Sequence, residues 1–147
     1  DFGTSVEVVK RFLNGGFPLA PNISFGIVDV RDVAQLHLLA LESPQASGNR
    51  FIASSETMAI PLISEVLREK IPEFQKKLPK GTAPDFLIKL LGLFSPLMKT
   101  VADQLGKTKK LDNSKAKNLL GWQPRSGEEA VVASAKSLIE FNIVKSP

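Results

Sequence analysis

The sequence predicts a mostly helical α/β chain with a few short strands, and three observations lead there. Apolar residues make up 43% of the 147 residues and charged residues 23%, the composition of an ordinary globular chain with one domain's worth of core. Helix-period apolar patterns, closed by capping residues and by glycine or proline, recur along most of the length. Only three short runs read as strands, and two of them are apolar on consecutive positions, as in strands covered on both faces. So few strands make an incomplete sheet, and the chain opens on Asp1 rather than Met. It is therefore expected to be a piece of a longer protein.

Each element follows from its local chemistry. Thr4 and Glu7 have the spacing of a capping box, Val6, Val9, Phe12 and Leu13 form one helical face, and Asn14-Gly15-Gly16 ends the helix. Ser24 to Val30 reads as a strand buried on both faces through Phe25-Gly26-Ile27-Val28. Asp29 then caps a helix to about Leu41, and Asp32 complements its positive end. Pro44 to Gly48 is a turn, and Arg50 to Ala53 a short strand. Pro61 opens a helix that buries Ile63, Val66, Leu67 and Ile71, and Pro72 ends it. Glu73 to Thr82, with Lys76, Lys77 and Lys80, reads as a surface loop. Pro84 to Leu105 is helical but broken at Ser95-Pro96. Its apolar stretch Phe86 to Leu91 fits either core or a pocket wall. Lys109 to Leu111 is a short strand. Asn113 or Asp112 caps a helix that Gly121 stops, Trp122 fills a gap before Pro124, and Ser126 with Glu129 opens the last helix.

Several function classes drop out. Cys is absent, which removes disulfides and thiolate chemistry, and one His is too few for a His-rich metal site. Tyr is also absent. The net charge of +4 is spread along the chain. The lysines at 107, 109, 110, 115 and 117 lack the aromatic platforms of a nucleic-acid surface and read as a solvated face. Phe86 to Met98 is too short for a membrane span and contains Lys89. Neither nucleic acid nor membrane is expected as a partner.

Chemistry-bearing constellations are sparse. Gly15-Gly16 closes a helix instead of opening one, and Lys80-Gly81-Thr82 lacks the upstream glycine of a phosphate loop. His37, between Leu36 and Leu38, reads as a surface or contact histidine, not a base. The Asp29/Asp32 and Glu128/Glu129 pairs stand at helix starts, where capping accounts for them. No catalytic, cofactor-binding or metal-binding residue is expected within the chain.

Three stretches read together carry a resemblance. They are Val28-Asp29-Val30-Arg31-Asp32-Val33-Ala34 followed by His37; Gly48-Asn49-Arg50-Phe51-Ile52; and Leu111-Asp112-Asn113-Ser114-Lys115-Ala116 with Leu120-Gly121-Trp122-Gln123-Pro124-Arg125. In this order they resemble the C-terminal part of extended short-chain dehydrogenases/reductases, in the branch of the NAD-dependent epimerases and dihydroflavonol reductases. The resemblance implies a C-terminal fragment of an NAD(P)-binding Rossmann-fold protein. Residues 1–147 would be the substrate-binding part, with a strand near 50–54 returning to the Rossmann sheet and the cofactor domain outside the chain. It further implies a cytoplasmic enzyme that uses NAD or NADP and a Tyr-x-x-x-Lys catalyst to reduce a small carbonyl compound. This chain has neither that motif nor the glycine-rich turn, so alone it is expected to be inactive and to bind no cofactor.

By the same resemblance, substrate contacts come from Phe17, Pro18, Asn22, Phe25 and Gly26, and from the helical insert. Asn22 to Gly26 lacks a basic residue for a sugar-nucleotide phosphate, which favours an apolar or aromatic carbonyl compound. Asp29, Asp32, Asn113 and Trp122 read as structural. Alternative readings are a non-catalytic cofactor-sensing relative and an unrelated helical interaction domain with both apolar strands paired internally. With its sheet incomplete, the isolated chain is expected to self-associate.

Overall fold

Apolar residues at helical spacing make the first helix, α1 (Thr4–Leu13), amphipathic; Val9, Phe12 and Leu13 are buried and Gly15 leaves it with a positive φ of 73°. In this computed structural model, residues 4–145 are described. The cap expected of the Thr4 side chain lies outside the described residues. The Glu7 carboxylate accepts from Lys10 and Arg11 one turn on. The order continues β1 (Ser24–Ile27), α2 (Val30–Glu42), β2 (Glu56–Ala59), α3 (Ile60–Lys70), α4 (Asp85–Gly92), α5 (Pro96–Ala102), α6 (Ser114–Leu120) and α7 (Gly127–Glu140), with 3-10 turns at Pro44–Ala46 and Pro72–Phe74.

The strands form an antiparallel ribbon in which Ser24 faces Ala59, Phe25 faces Met58, Gly26 faces Thr57 and Ile27 faces Glu56. This corrects three expectations. The first strand stops at Ile27, because Asp29 already caps α2, and Phe25 and Gly26 are exposed rather than covered. Within this chain Arg50 to Ala53 forms no ladder; the partner of β1 is Glu56–Ala59, while Phe51 and Ala53 pack on the cluster around Trp122. Lys109 to Leu111 is not a strand either, since the Lys109 carbonyl accepts the Thr57 hydroxyl at 3.0 Å.

Two clusters make the interior. The larger is closed by α1, α3 and α7 over the ribbon, with Phe12, Leu13, Leu67, Phe74, Ala135 and Val144 at its centre. Each large side chain buried there contributes about 1.5–3 kcal/mol. Phe74, Leu78 and Pro79 are fully enclosed, so Glu73 to Thr82 is not the surface loop that its lysines suggested. Its apolar residues point inward at wide spacing and its charges outward. The Ser126–Glu129 capping box starts α7, as the sequence indicates, and the Glu56 carboxylate also accepts from the Gly127 amide at 2.5 Å, tying β2 to that helix.

The smaller cluster joins Leu36 of α2 to Ala116 and Leu120 of α6 around Trp122, which is 0% exposed. Gly121 turns the chain into this position with a φ of 64°, where any side chain would strain. The indole Nε1 donates to the Asp32 carbonyl at 2.9 Å.

Trp122→Ala is expected to cost about 3–5 kcal/mol, the range for emptying a fully buried aromatic site. Urea unfolding measures this. Emission from the folded chain resembling free indole would contradict the burial.

Candidate functional site

The segment from Phe17 to Gly26 is fixed by backbone pairing. Phe17 is half-buried, its ring edge-on to Phe12 with centroids 5.5 Å apart. The Pro18 carbonyl accepts from Lys80 N at 3.1 Å, Ala20 exchanges two 2.8 Å bonds with Gly81 and Ala83, and the Ile23 carbonyl accepts from Ile60 N at 2.9 Å. Pinned in this way, the segment presents Pro18, Asn22, Phe25 and Gly26 to the surface, with Phe25 39% exposed. A Cβ on Gly26 would collide with Leu111 Cδ1 and come within 2.9 Å of Ser54 Oγ, so a side chain here would have to displace both. Of the five expected contact residues, four share the outer surface and Phe17 is turned toward the core.

The residues read as structural form a connected clasp. The Asp29 carboxylate accepts from Arg31 N at 2.9 Å and caps α2, and the Arg31 guanidinium grips it at 2.6 and 2.8 Å. That guanidinium holds Asp29 well below the usual carboxylate range, at about 2, against the opposing effect of burial. Asp32 is 2% exposed and accepts both the Arg125 amide, at 2.8 Å, and the Arg125 guanidinium. The two halves of the sequence motif are thus hydrogen-bonded to one another. Asn113 does not use its side chain to cap α6; Asp112 does, accepting from Ser114 N at 2.8 Å. The Asn113 amide donates to the Ser54 and Ser55 carbonyls at 2.7 and 3.2 Å, holding the 51–55 segment against α6. Arg125 and Glu56 were not singled out as working residues. The motif contained Arg125 without showing its partner, and nothing local marks Glu56.

Other groups are dispersed. His37 is exposed with its Nδ1 2.8 Å from the Val33 carbonyl. Lys115 stands 5.7 Å over the Phe51 ring. Among the described residues no group of His, Asp and Glu is placed to hold a metal ion, and no helix is long and apolar enough to cross a membrane. One open hollow of about 410 Å3 is lined by Lys117, Gly121, Trp122, Gln123 and Pro124, and another of about 330 Å3 lies between α4 and α5; none of the five segment residues lines either. The insert is not core: Phe86, Leu90, Leu93 and Phe94 are exposed and Ile88 is buried.

The residues present do not fit a dinucleotide. A pyrophosphate needs a glycine-rich strand-to-helix turn with a free helix N-terminus. The β1–α2 turn, Val28-Asp29, has no glycine and its helix end already holds the Asp29 carboxylate. The β2–α3 junction enters directly through Pro61.

No protein-family model matches the chain. It is 33% identical over 133 residues to a ketoreductase of Aspergillus niger, covering 90% of this chain and 34% of that protein. It is 30% identical over 139 residues to an NADPH-dependent methylglyoxal reductase of Saccharomyces cerevisiae, covering 94% and 36%. The chain spans about a third of the length of these curated relatives. Among solved structures, the yeast methylglyoxal/isovaleraldehyde reductase complexed with NADPH superposes with a TM-score of 0.70 at 26% identity, covering 98% of this chain and 38% of that one. The fold is therefore that of an α/β fragment of Rossmann-fold reductases.

Asp29 has a pH signature. Its bond to the Arg31 guanidinium holds the folded carboxyl at about 2, below the ordinary aspartate value of 3.8. The stability it supplies is complete above about pH 4 and is lost as pH falls toward 2. Asp29→Asn keeps a capping side chain but should remove that part of the acid dependence and cost up to about 1 kcal/mol near neutrality through the lost Arg31 pair. Urea melts of both proteins across this range provide the check.

Proposed function

We propose that this chain is the C-terminal, substrate-binding portion of an NAD(P)-dependent carbonyl reductase of the extended short-chain dehydrogenase/reductase family. The observation that carries this reading is likeness across more than nine-tenths of the chain to a methylglyoxal reductase, in both sequence and fold. In the proposed reaction a hydride adds to the carbonyl carbon and a proton to its oxygen, giving an alcohol. Neither comes from this chain, which has no Tyr; its role is to bind and orient the carbonyl compound.

Phe17, Pro18, Asn22, Phe25 and Gly26 are the proposed contacts. Phe25 offers an aromatic face at the surface, the Asn22 amide suits a carbonyl or hydroxyl oxygen, and Gly26 stands beside them in the exposed strand. The segment carries no basic residue. An apolar or aromatic aldehyde or ketone therefore suits it better than a phosphorylated sugar, and catalysis takes place in the cytoplasm. The cofactor domain and the sheet that takes up residues 50–54 belong, in this reading, to the rest of a longer protein. Separated from them, the chain self-associates, because Val30, Leu38 and Leu41 leave an apolar stripe on the outside of α2, with exposures of 78%, 60% and 83%.

Nicotinamide fluorescence titration of the isolated chain should show no saturable NADPH binding; a dissociation constant in the micromolar range overturns the division of labour. In the full-length protein, Phe25→Ala should raise KM for an aromatic aldehyde by about tenfold with kcat little changed, the pattern of lost ground-state binding. Unchanged kinetics would remove Phe25 from the site. Light scattering on the dilute chain should show dimers or larger species, and a monodisperse 16 kDa species with a cooperative melt contradicts that.

A further inference from the structure

Helices α4 and α5 pack on each other more extensively than any other pair of elements. They cross so closely at Gly92 that a Cβ there would lie 3.2 Å from Lys99 Cα. Their attachments to the rest of the molecule are narrow. At the entrance, Ala20 clips the strand-like segment Gly81–Ala83 through two 2.8 Å bonds, and the Pro18 carbonyl accepts from Lys80 N. At the exit, Gly106 N reaches the Asn22 carbonyl at 3.5 Å, and Val101 and Leu105 lean on the larger core. The backbone ties at both ends thus fall on one short stretch, Pro18 to Asn22, within the proposed substrate segment. The outside of the hairpin is unusually apolar for a helical surface, with Phe86 72%, Leu93 77% and Phe94 82% exposed.

We infer that α4 and α5 form a hinged cover, a two-helix body that opens as one unit about its ties to Pro18–Asn22. The helices hold each other more firmly than the remainder holds them, so the lowest-energy local opening breaks the ties and leaves the pair intact. The ties and the proposed substrate contacts share a segment, so occupation of the segment and closure of the hairpin are linked. A compound that orders Pro18–Asn22 closes the cover, and by reciprocity a closed cover favours that compound. The substrate side of this inference rests on the function proposed above; the hinge does not.

Amide hydrogen exchange of the ligand-free chain, read by mass spectrometry, tests the hinge. The amides of α4 and α5 should exchange together, about tenfold or more faster than those of α3 and α7. Ala83→Pro deletes the donor to the Ala20 carbonyl and should speed the hairpin about tenfold further while leaving α3 and α7 unchanged. If that variant fails to fold, Leu105→Ala, which loosens the other attachment, should do the same. Exchange of the hairpin at the rate of α3 and α7, or acceleration of every element alike by the variant, overturns the hinge. No substrate enters the measurement, so its failure leaves the reductase reading intact, and a full-length protein without carbonyl reductase activity leaves the hinge intact.

Discussion

Asp32 makes bonds from three of its groups, and the smaller half of the molecule is organised around it. Its amide closes the first turn of α2 on the Asp29 carbonyl, its own carbonyl takes the indole proton of Trp122, and its buried carboxylate takes the amide and guanidinium of Arg125. A buried carboxylate without such partners would be strongly destabilising. Here every bond it accepts also fixes the turn between α6 and α7. The helix that follows β1 and the helix that closes the main core are thereby set against each other, and with them the ribbon and the segment leading into it.

This arrangement gives the residues that carry the family resemblance a shared structural task. The V-D-V-R-D stretch and the L-G-W-x-P-R stretch are far apart in sequence and meet at Asp32. Their spacing is constrained because the two sides of one clasp must be supplied together. Gly121 belongs to the same constraint, since its left-handed backbone brings Trp122 under α2. The proposed substrate segment is the opposite case. It is held by main-chain bonds from Pro18, Ala20 and Ile23, which place few demands on side-chain identity and so leave little pattern to read.

Helices with sharp caps were the most legible parts of the sequence. Asp29, Ser126 with Glu129, Pro61, Ser95-Pro96 and Gly121 all mark the ends they were expected to mark. Strands were less so, because apolar runs cannot declare their partners. Phe51-Ile52-Ala53 has strand composition yet packs side chains around Trp122, while the more polar Glu56-Thr57-Met58-Ala59 makes the ladder. Lysines disguised Glu73 to Thr82, whose Phe74 and Leu78 continue the helical spacing of Ile71 into the core through a 3-10 turn instead of a full helix. In the site, the uncharged character of Asn22 to Gly26 was legible from composition. The ties from Ala20 and Asn22 to the hairpin were not, since backbone pairing across a long insertion leaves no residue signature.

Trp122 has a consequence for how the molecule can be watched. It is the single tryptophan of a chain without tyrosine, so intrinsic emission originates wholly within the cluster of α2 and α6. The larger core, with Phe12 and Phe74 at its centre, and the α4–α5 pair are dark at those wavelengths. An emission melt is therefore a site-specific probe of the Asp32 clasp and not a measure of global unfolding. Helical circular dichroism weighs both halves, and any offset between the two signals is a direct reading of how strongly one core depends on the other.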